Sequence, residues 1–331
     1  MKVVVIVAYY GNWPKDYLNL FLKGLENNMM IDYLFITDNE LPKTFGNQIK
    51  KIHLSFDELK SFINNKLDFN VNLNHVRKLC DLKPLYGLLF ETHIKEYDFW
   101  GYGDIDILFG NLNNDLPELL KKYDVVTFHP YWISGPFTIF KNNDYCNQLF
   151  LKSKNIKDVL NNEKYIGFDE CGNKYRHLEK GLNILNYKLC DDICDDIECM
   201  TFIITKESSI GKLNFYQNLK IKESVLIKES INYDNGKLYF DNKEIFIYHF
   251  ITEKQYYRFK FPKWKNIPSE FQILHTGMYD SKNLKWIVKI NYFYRIYINE
   301  FYRLLMRIFL SLNYRLLKKT IKPKYKIDVF R

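Results

Sequence analysis

Asp104 and Asp106 are the residues of this sequence whose type and spacing point most directly to chemistry. They lie in Phe99-Trp100-Gly101-Tyr102-Gly103-Asp104-Ile105-Asp106-Ile107-Leu108-Phe109, and no other Asp-x-Asp occurs among the 331 residues. Side chains two apart on an extended segment point to one side, so the two carboxylates converge. Convergent hard oxygen ligands suit Mg²⁺ or Mn²⁺ carrying a phosphorylated substrate. The small Gly101 and Gly103 leave room for another group to approach the backbone closely.

Such a pair needs a strand that leaves the core at the right place. The apolar flanks of the segment predict a buried strand with the aspartates at its end. Residues 3–9 are a continuous apolar run, the pattern of a central parallel strand covered on both faces. After the turn at Tyr10-Gly11-Asn12, Pro14 suits the first turn of a helix, and Leu18, Phe21, Leu22, Leu25 and Met29 repeat at helical spacing. Residues 33–37 predict a second strand ending in Asp38-Asn39, which completes a right-handed βαβ unit. Residues 41–75 are less regular. A helix is expected from near Asp81 to Glu96, then the aspartate strand, a helix over 116–122, and strands over 124–129 and 137–140. From about residue 200 the pattern predicts strands, with a hairpin turning at Asn235-Gly236 and leading to a strand over 244–250. The fold class expected is therefore α/β: one doubly wound, Rossmann-like mixed sheet with antiparallel additions. Ligands of such sheets collect at the carboxyl ends of the strands, where Tyr9-Tyr10, Asp38-Asn39 and the aspartate pair all fall.

Composition narrows the partners. Hydrophobic residues make up 47% of the chain, which marks a globular protein. Aromatics reach 17%, with 26 Tyr and 26 Phe, enough to wall a sugar or base pocket as well as fill a core. Residues 285–331 hold 12 Lys and Arg against 2 Asp and Glu; of the chain's net +9 they carry +10, leaving −1 for residues 1–284. A near-neutral body argues against a chain-wide basic coat for nucleic acid. In the tail, Lys285, Lys289, Arg303, Arg307 and Lys318 fall within about 60° of one another at helical spacing, a basic stripe on an apolar helix. That pattern fits a C-terminal helical tail lying on an anionic membrane surface. No run of about 18 apolar residues predicts a membrane span. The short apolar start enters a strand directly, which leads to the expectation of a cytoplasmic protein, peripheral on the inner face of the membrane, with free thiols.

Several of these segments together resemble a poorly characterised family of bacterial glycosyltransferase-like proteins. They are residues 5–11, 34–39, 78–87, 101–110 and 134–142. More distantly they are similar to GT-A nucleotide-sugar transferases carrying a DxD motif. The resemblance covers roughly residues 1–255. It implies a GT-A-like catalytic domain over that range, followed by a connecting segment over 256–284 and the tail over 285–331. It further implies a nucleotide-diphospho-sugar donor, Mn²⁺ or Mg²⁺, and a glycan or lipid-linked saccharide acceptor. Asp104 and Asp106 match the DxD. Asp81 and Lys83 match the helix that holds the donor sugar, although the family spaces its acid and base three apart and here the spacing is two. His249 resembles the third metal ligand of some of these enzymes.

Within that frame, Asp38 and the strand-end Tyr9 and Tyr10 are candidates for the nucleoside, and Asp104 also faces the donor. Asp169 and Glu170 are candidates for the general base on an acceptor hydroxyl. His129, Trp132 and Ser134 are candidates for the acceptor side. Two other readings stand beside the transferase: a sugar-phosphate nucleotidyltransferase, and a non-enzymatic glycan-binding scaffold at the membrane. The first usually carries a Gly-rich basic loop after its first strand, and residues 10–14 are not one. Cys190, Cys194 and Cys199 lie among acids, but spacings of three and four without a paired C-x₂-C favour free thiols over zinc.

Overall fold

The apolar run Val3–Ala8 forms strand β1 of the computed structural model, buried along almost its whole length. The structure describes residues 1–283 apart from 68, 173, 190–196 and 257–258, together with 297, 301 and 304. One compact unit spans Met1–Met278 and a second spans Tyr279–Arg331. The expected helical tail, with its basic stripe, and the pair Cys190 and Cys194 lie outside the described residues.

Around β1 stand β2 (Ile31–Thr37), β3 (Ile49–His53) and β4 (Phe99–Gly103). β5 (Ile107–Phe109) and β6 (Val125–Thr127) follow, then β7 (Phe137–Lys141) and β8 (Phe215–Gln217). Among the described residues, seven of these form one sheet in the order β3-β2-β1-β4-β7-β6-β8. β3, β2, β1 and β4 run parallel, and β7 is antiparallel to both β4 and β6. The strand order reverses beside β1, between β2 and β4, and a doubly wound sheet opens its ligand crevice at such a reversal. Helix α1 (Leu18–Glu26) packs Phe21 and Leu25 on one face of the sheet with Val3, Val5 and Val7. Helix α2 (Phe56–Lys66) and the helical stretch 76–94 cover the other face through Leu59, Ile63, Leu82 and Leu89. The doubly wound mixed sheet with antiparallel additions is thus present.

Two smaller sheets complete the unit. β9 (Ile221–Lys222), β13 (Ile247–His249) and β5 form one, in the order β5-β13-β9. β10 (Ser230–Asp234), β11 (Lys237–Phe240), β12 (Lys243–Ile245), β14 (Glu270–Leu274) and β15 (Gly277–Asp280) form the other, in the order β12-β11-β10-β14-β15. Asn235 and Gly236, both at positive φ, make the tight turn of the β10–β11 hairpin.

Several elements differ from expectation for identifiable reasons. The helix expected over 81–96 is a succession of turns: α3 (Leu79–Leu82), then Lys83–Leu85, Tyr86–Leu89 and Glu91–Ile94. Pro84 supplies no N–H, which breaks the regular ladder. Residues 41–75 hold β3 and α2. Helix α2 starts at a full capping box, Ser55 with Glu58, a signal present in the sequence. Helix α1 stops at Glu26, and Met29 is exposed. Residues 200–209 form α4 (Met200–Ser209) and not strands. The strand expected over 244–250 is split at Phe246 between β12 and β13, which belong to different sheets. The stretch expected only to connect, 256–284, contributes β14, which pairs with β10. Gly101 and Gly103 serve close packing within the sheet: a Cβ on Gly101 would stand 2.5 Å from the Thr138 carbonyl oxygen. Among the described residues no helix is long and apolar enough to cross a membrane. Cys80, Cys146, Cys171 and Cys199 are free thiols.

Candidate metal and carboxylate site

The aspartates leave the carboxyl end of β4 and enter β5, and strand pairing brings their partners to them. β13 runs antiparallel to β5 with His249 opposite Ile107, and the Phe250 N–H donates to the Asp106 carbonyl. β9 runs parallel to β13 with Lys222 opposite Tyr248, so Glu223 arrives level with His249. The result is a line of alternating charge. Lys254 donates to Asp106 Oδ2, His249 Nε2 lies 3.3 Å from the same oxygen, and His249 Nδ1 lies 3.3 Å from Glu223 Oε1. Burial opposes the charge on Asp106, but His249 and Lys254 hold its carboxyl well below the usual carboxylate range. Burial likewise opposes charge on His249, and Asp106 and Glu223 push it up to about 10.

Asp104, Asp106 and His249 each offer one ligand atom, and these atoms lie within 4.8 Å of one another. Two carboxylate oxygens and an imidazole nitrogen form a donor set suited to Mn²⁺, and the oxygens to Mg²⁺. The protein already directs cationic groups at both carboxylates, Lys254 at Asp106 and Lys83 at Asp104. The donors of the three residues fit a divalent cation, which would share the carboxylates with these ammoniums and take the place of the proton on His249.

A second line of contacts starts from Asp104. Lys83 Nζ donates to Asp104 Oδ1 at 2.7 Å and to the Gly135 carbonyl at 2.9 Å. Burial works against the ammonium, and Asp104, Cys80 and Asp169 together more than offset it, so Lys83 titrates well above an ordinary lysine. On the other side of the same residue, Gly135 N–H donates to Glu170 Oε1 at 3.0 Å, and Tyr175 Oη donates to Glu170 Oε2 at 2.8 Å. Asp169 is 1% exposed and accepts from Tyr165 Oη at 3.2 Å. Burial raises both carboxyls, Asp169 well above its usual value, and the neighbouring Glu170 raises Asp169 further. A Cβ on Gly135 would stand 2.7 Å from Glu170 Oε1 and 2.9 Å from Asp169 Oδ2, so only glycine lets both carboxyls reach this backbone.

Other expected residues are placed differently. Asp81 is completely buried: one oxygen takes the Lys78 ammonium at 2.8 Å and the Ile166 N–H, and the other takes the Phe168 N–H. It anchors the 166–168 turn that delivers Asp169 and presents no surface to a donor sugar. His129, Trp132 and Ser134 are buried too. Trp132 is stacked on His129 at 3.6 Å and meets Tyr175 edge-on, while Ser134 N–H donates to Thr127 Oγ1. Burial pushes the His129 imidazole down to about 4. The open face of that loop belongs to Tyr131, which is 46% exposed. Tyr9 stacks on Trp13 at 4.8 Å and donates to the Asn12 carbonyl; Tyr10 donates to the Leu54 carbonyl; Asp38 is exposed at the end of β2. Sequence reading missed Lys254, Glu223, Tyr165 and Tyr175. Only the register of β9 and β13 or the 165–175 turn brings them in, and no local spacing encodes either.

Fold and site together define a doubly wound α/β protein with an acid–imidazole cluster at the carboxyl edge of its sheet. The chain belongs to a family of unknown function, DUF6625, whose model matches residues 5–282. No curated protein matches it. Among solved structures it is similar to a glycosyltransferase involved in the glycosylation of the major capsid of PBCV-1. That likeness has 8% identity and a TM-score of 0.32, covering 76% of this chain and 95% of the other. It is similar to an active-site mutant of LgtC at 12% identity and TM-score 0.24, covering 43% of this chain and 59% of that one. LgtC, a galactosyltransferase, in complex with donor and acceptor sugar analogs is similar at 10% identity and TM-score 0.22, covering 55% and 69%. Likenesses this remote carry no step of the functional argument.

Proposed function

We propose that this chain is a metal-dependent glycosyltransferase that moves a sugar from a nucleotide-diphospho-sugar, UDP-linked, to a hydroxyl of a surface glycan or lipid-linked saccharide. The observation that carries the reading is the convergence of Asp104, Asp106 and His249 at the carboxyl edge of the sheet, flanked by Lys83 and Lys254. Asp104, Asp106 and His249 would hold Mn²⁺ or Mg²⁺, which neutralises the charge that develops on a departing nucleoside diphosphate. Lys83 and Lys254 add two fixed positive charges beside the same carboxylates. Asp38 and the Tyr9–Tyr10 strand end line the nucleoside side of the crevice. Asp169 and Glu170 stand on the opposite side of Gly135 from Lys83. One of them, in its ionised form, takes the proton of the acceptor hydroxyl, and the burial that raises its affinity for a proton strengthens it as a base. Asp81 acts through the turn it anchors, and His129, Trp132 and Ser134 support the loop that offers Tyr131 to the acceptor.

The catalytic residues fall within residues 1–255, and the basic tail, 285–331, docks the protein on an anionic membrane. A nucleoside-diphosphate release assay against a panel of nucleotide sugars tests the reading. Release should depend on Mn²⁺ or Mg²⁺, stop with EDTA, and fall at least about 100-fold in Asp106→Asn. Release indifferent to EDTA and to Asp106→Asn would overturn it.

A further inference from the structure

The sheet of β10, β11, β12, β14 and β15 contributes nothing to the cluster above, yet a cleft of about 330 Å³ opens where the segment before β14 meets the start of α1. Its lining is Trp264, Pro262, Ile267 and Leu20 with Lys15, Asp16, Asn19 and Lys263. Trp264 packs one side against Phe271 of β14 and stays half-buried. The Asp16 carboxylate, the Asn19 amide, the Lys15 and Lys263 ammoniums and the Trp264 indole N–H make no side-chain hydrogen bond among the described residues. The cleft therefore combines a fixed aromatic face with donors and acceptors of both kinds. A pyranose ring asks for that combination: an apolar face of C–H groups to lie on an aromatic ring, and a rim of hydroxyls that both donate and accept.

We propose that this cleft is a glycan-binding site that holds pyranose units of a saccharide chain. Its place in the fold ties it to the cluster. Asp16 and Pro262 line the cleft, and their neighbours Tyr17 and Phe261 pack on each other and on Phe250, the residue after His249. One aromatic layer separates the cleft from the proposed transfer site. On the transferase reading, on which this inference rests, the occupant is the part of an oligosaccharide acceptor already assembled.

A printed array of bacterial and neutral oligosaccharides, probed with the full chain, tests the site. At least one glycan class should bind, and Trp264→Ala should weaken that binding at least tenfold. Trp264→Phe should retain part of it. Because Trp264 also packs on Phe271, Asn19→Ala with Asp16→Ala serves as a second variant on exposed positions and should weaken binding as well. All three should bind UDP with Mn²⁺ as the unaltered chain does, which separates this inference from the transferase reading. No glycan bound across the array, or binding unchanged by both the Trp264→Ala and the Asn19/Asp16 changes, would overturn the proposal.

Discussion

Asp169 and Glu170 sit side by side in the interior, and burial holds both carboxyls above their ordinary values. A carboxyl raised in the folded state contributes stability below its unfolded pKa, about 4, and loses it as pH rises through the folded value. Above about pH 4 the fold therefore bears a cost that the unfolded chain, free to ionise, does not. Asp169→Asn removes the titrating group with little change in shape. It should raise Tm by on the order of 2–4 °C at pH 8, a gain that shrinks towards pH 5, while nucleotide-sugar turnover falls steeply. Calorimetry at the two pH values checks the first part, and a gain that grows on acidification would contradict it. Gly135→Ala acts on the same pair from the backbone side. The added Cβ pushes the Glu170 and Asp169 oxygens away from their places, so activity should drop by at least about tenfold with circular dichroism unchanged. Of these residues the Asp-x-Asp was legible from its place at the end of an apolar strand, although the pair stands in the bend between β4 and β5 and not on an extended segment. The burial of Asp169, and its dependence on Tyr165 and Gly135, was not. Those contacts cross from one loop to another, and neither loop carries a periodicity that would reveal them.

The helical stretch 76–94 carries Lys83 to Asp104, and its fit against β4 is close. A Cβ on Gly87 would stand 2.4 Å from the Trp100 ring, which is fully buried and held by Asn147 Oδ1 accepting from its indole N–H. Trp100 has nowhere to retreat. Gly87→Ala should lower stability by about 1–3 kcal/mol, the usual cost of overpacking, and shift the urea midpoint at constant slope. An unchanged midpoint would show that the stretch adjusts freely. Elements with a clear period were readable in advance: β1, β2, β4, the 235–236 hairpin and α1. The broken helix over 79–94 and the split at Phe246 were not, because Pro84 and the exchange of β12 and β13 between sheets act against the local pattern. Helix α2 could have been read from Ser55 and Glu58, since its capping box lies wholly within the sequence.

For the molecule as a whole, charge is segregated. The excess positive charge lies in residues 285–331, while the catalytic machinery proposed above lies within 1–255. Each basic residue near an anionic surface contributes about 1 kcal/mol, screened by salt. A chain ending at residue 284 should lose sedimentation with phosphatidylserine-containing vesicles and keep UDP binding. The full chain should bind those vesicles more weakly as salt rises. Unchanged sedimentation of the shortened chain would place the membrane contact elsewhere. The proposal stands or falls most directly on coupling between metal and nucleotide in one site. A ligand that binds the folded state at a hundred times its Kd stabilises by about 2.7 kcal/mol, enough to read as a thermal shift. Thermal melts with UDP, with and without Mn²⁺, should show a rise in Tm only when both are present, and none in Asp104→Asn or Asp106→Asn. A rise that needs no metal, or that survives in both variants, or no rise at millimolar UDP with Mn²⁺, would contradict the assignment of Asp104, Asp106 and His249 as the centre of the site.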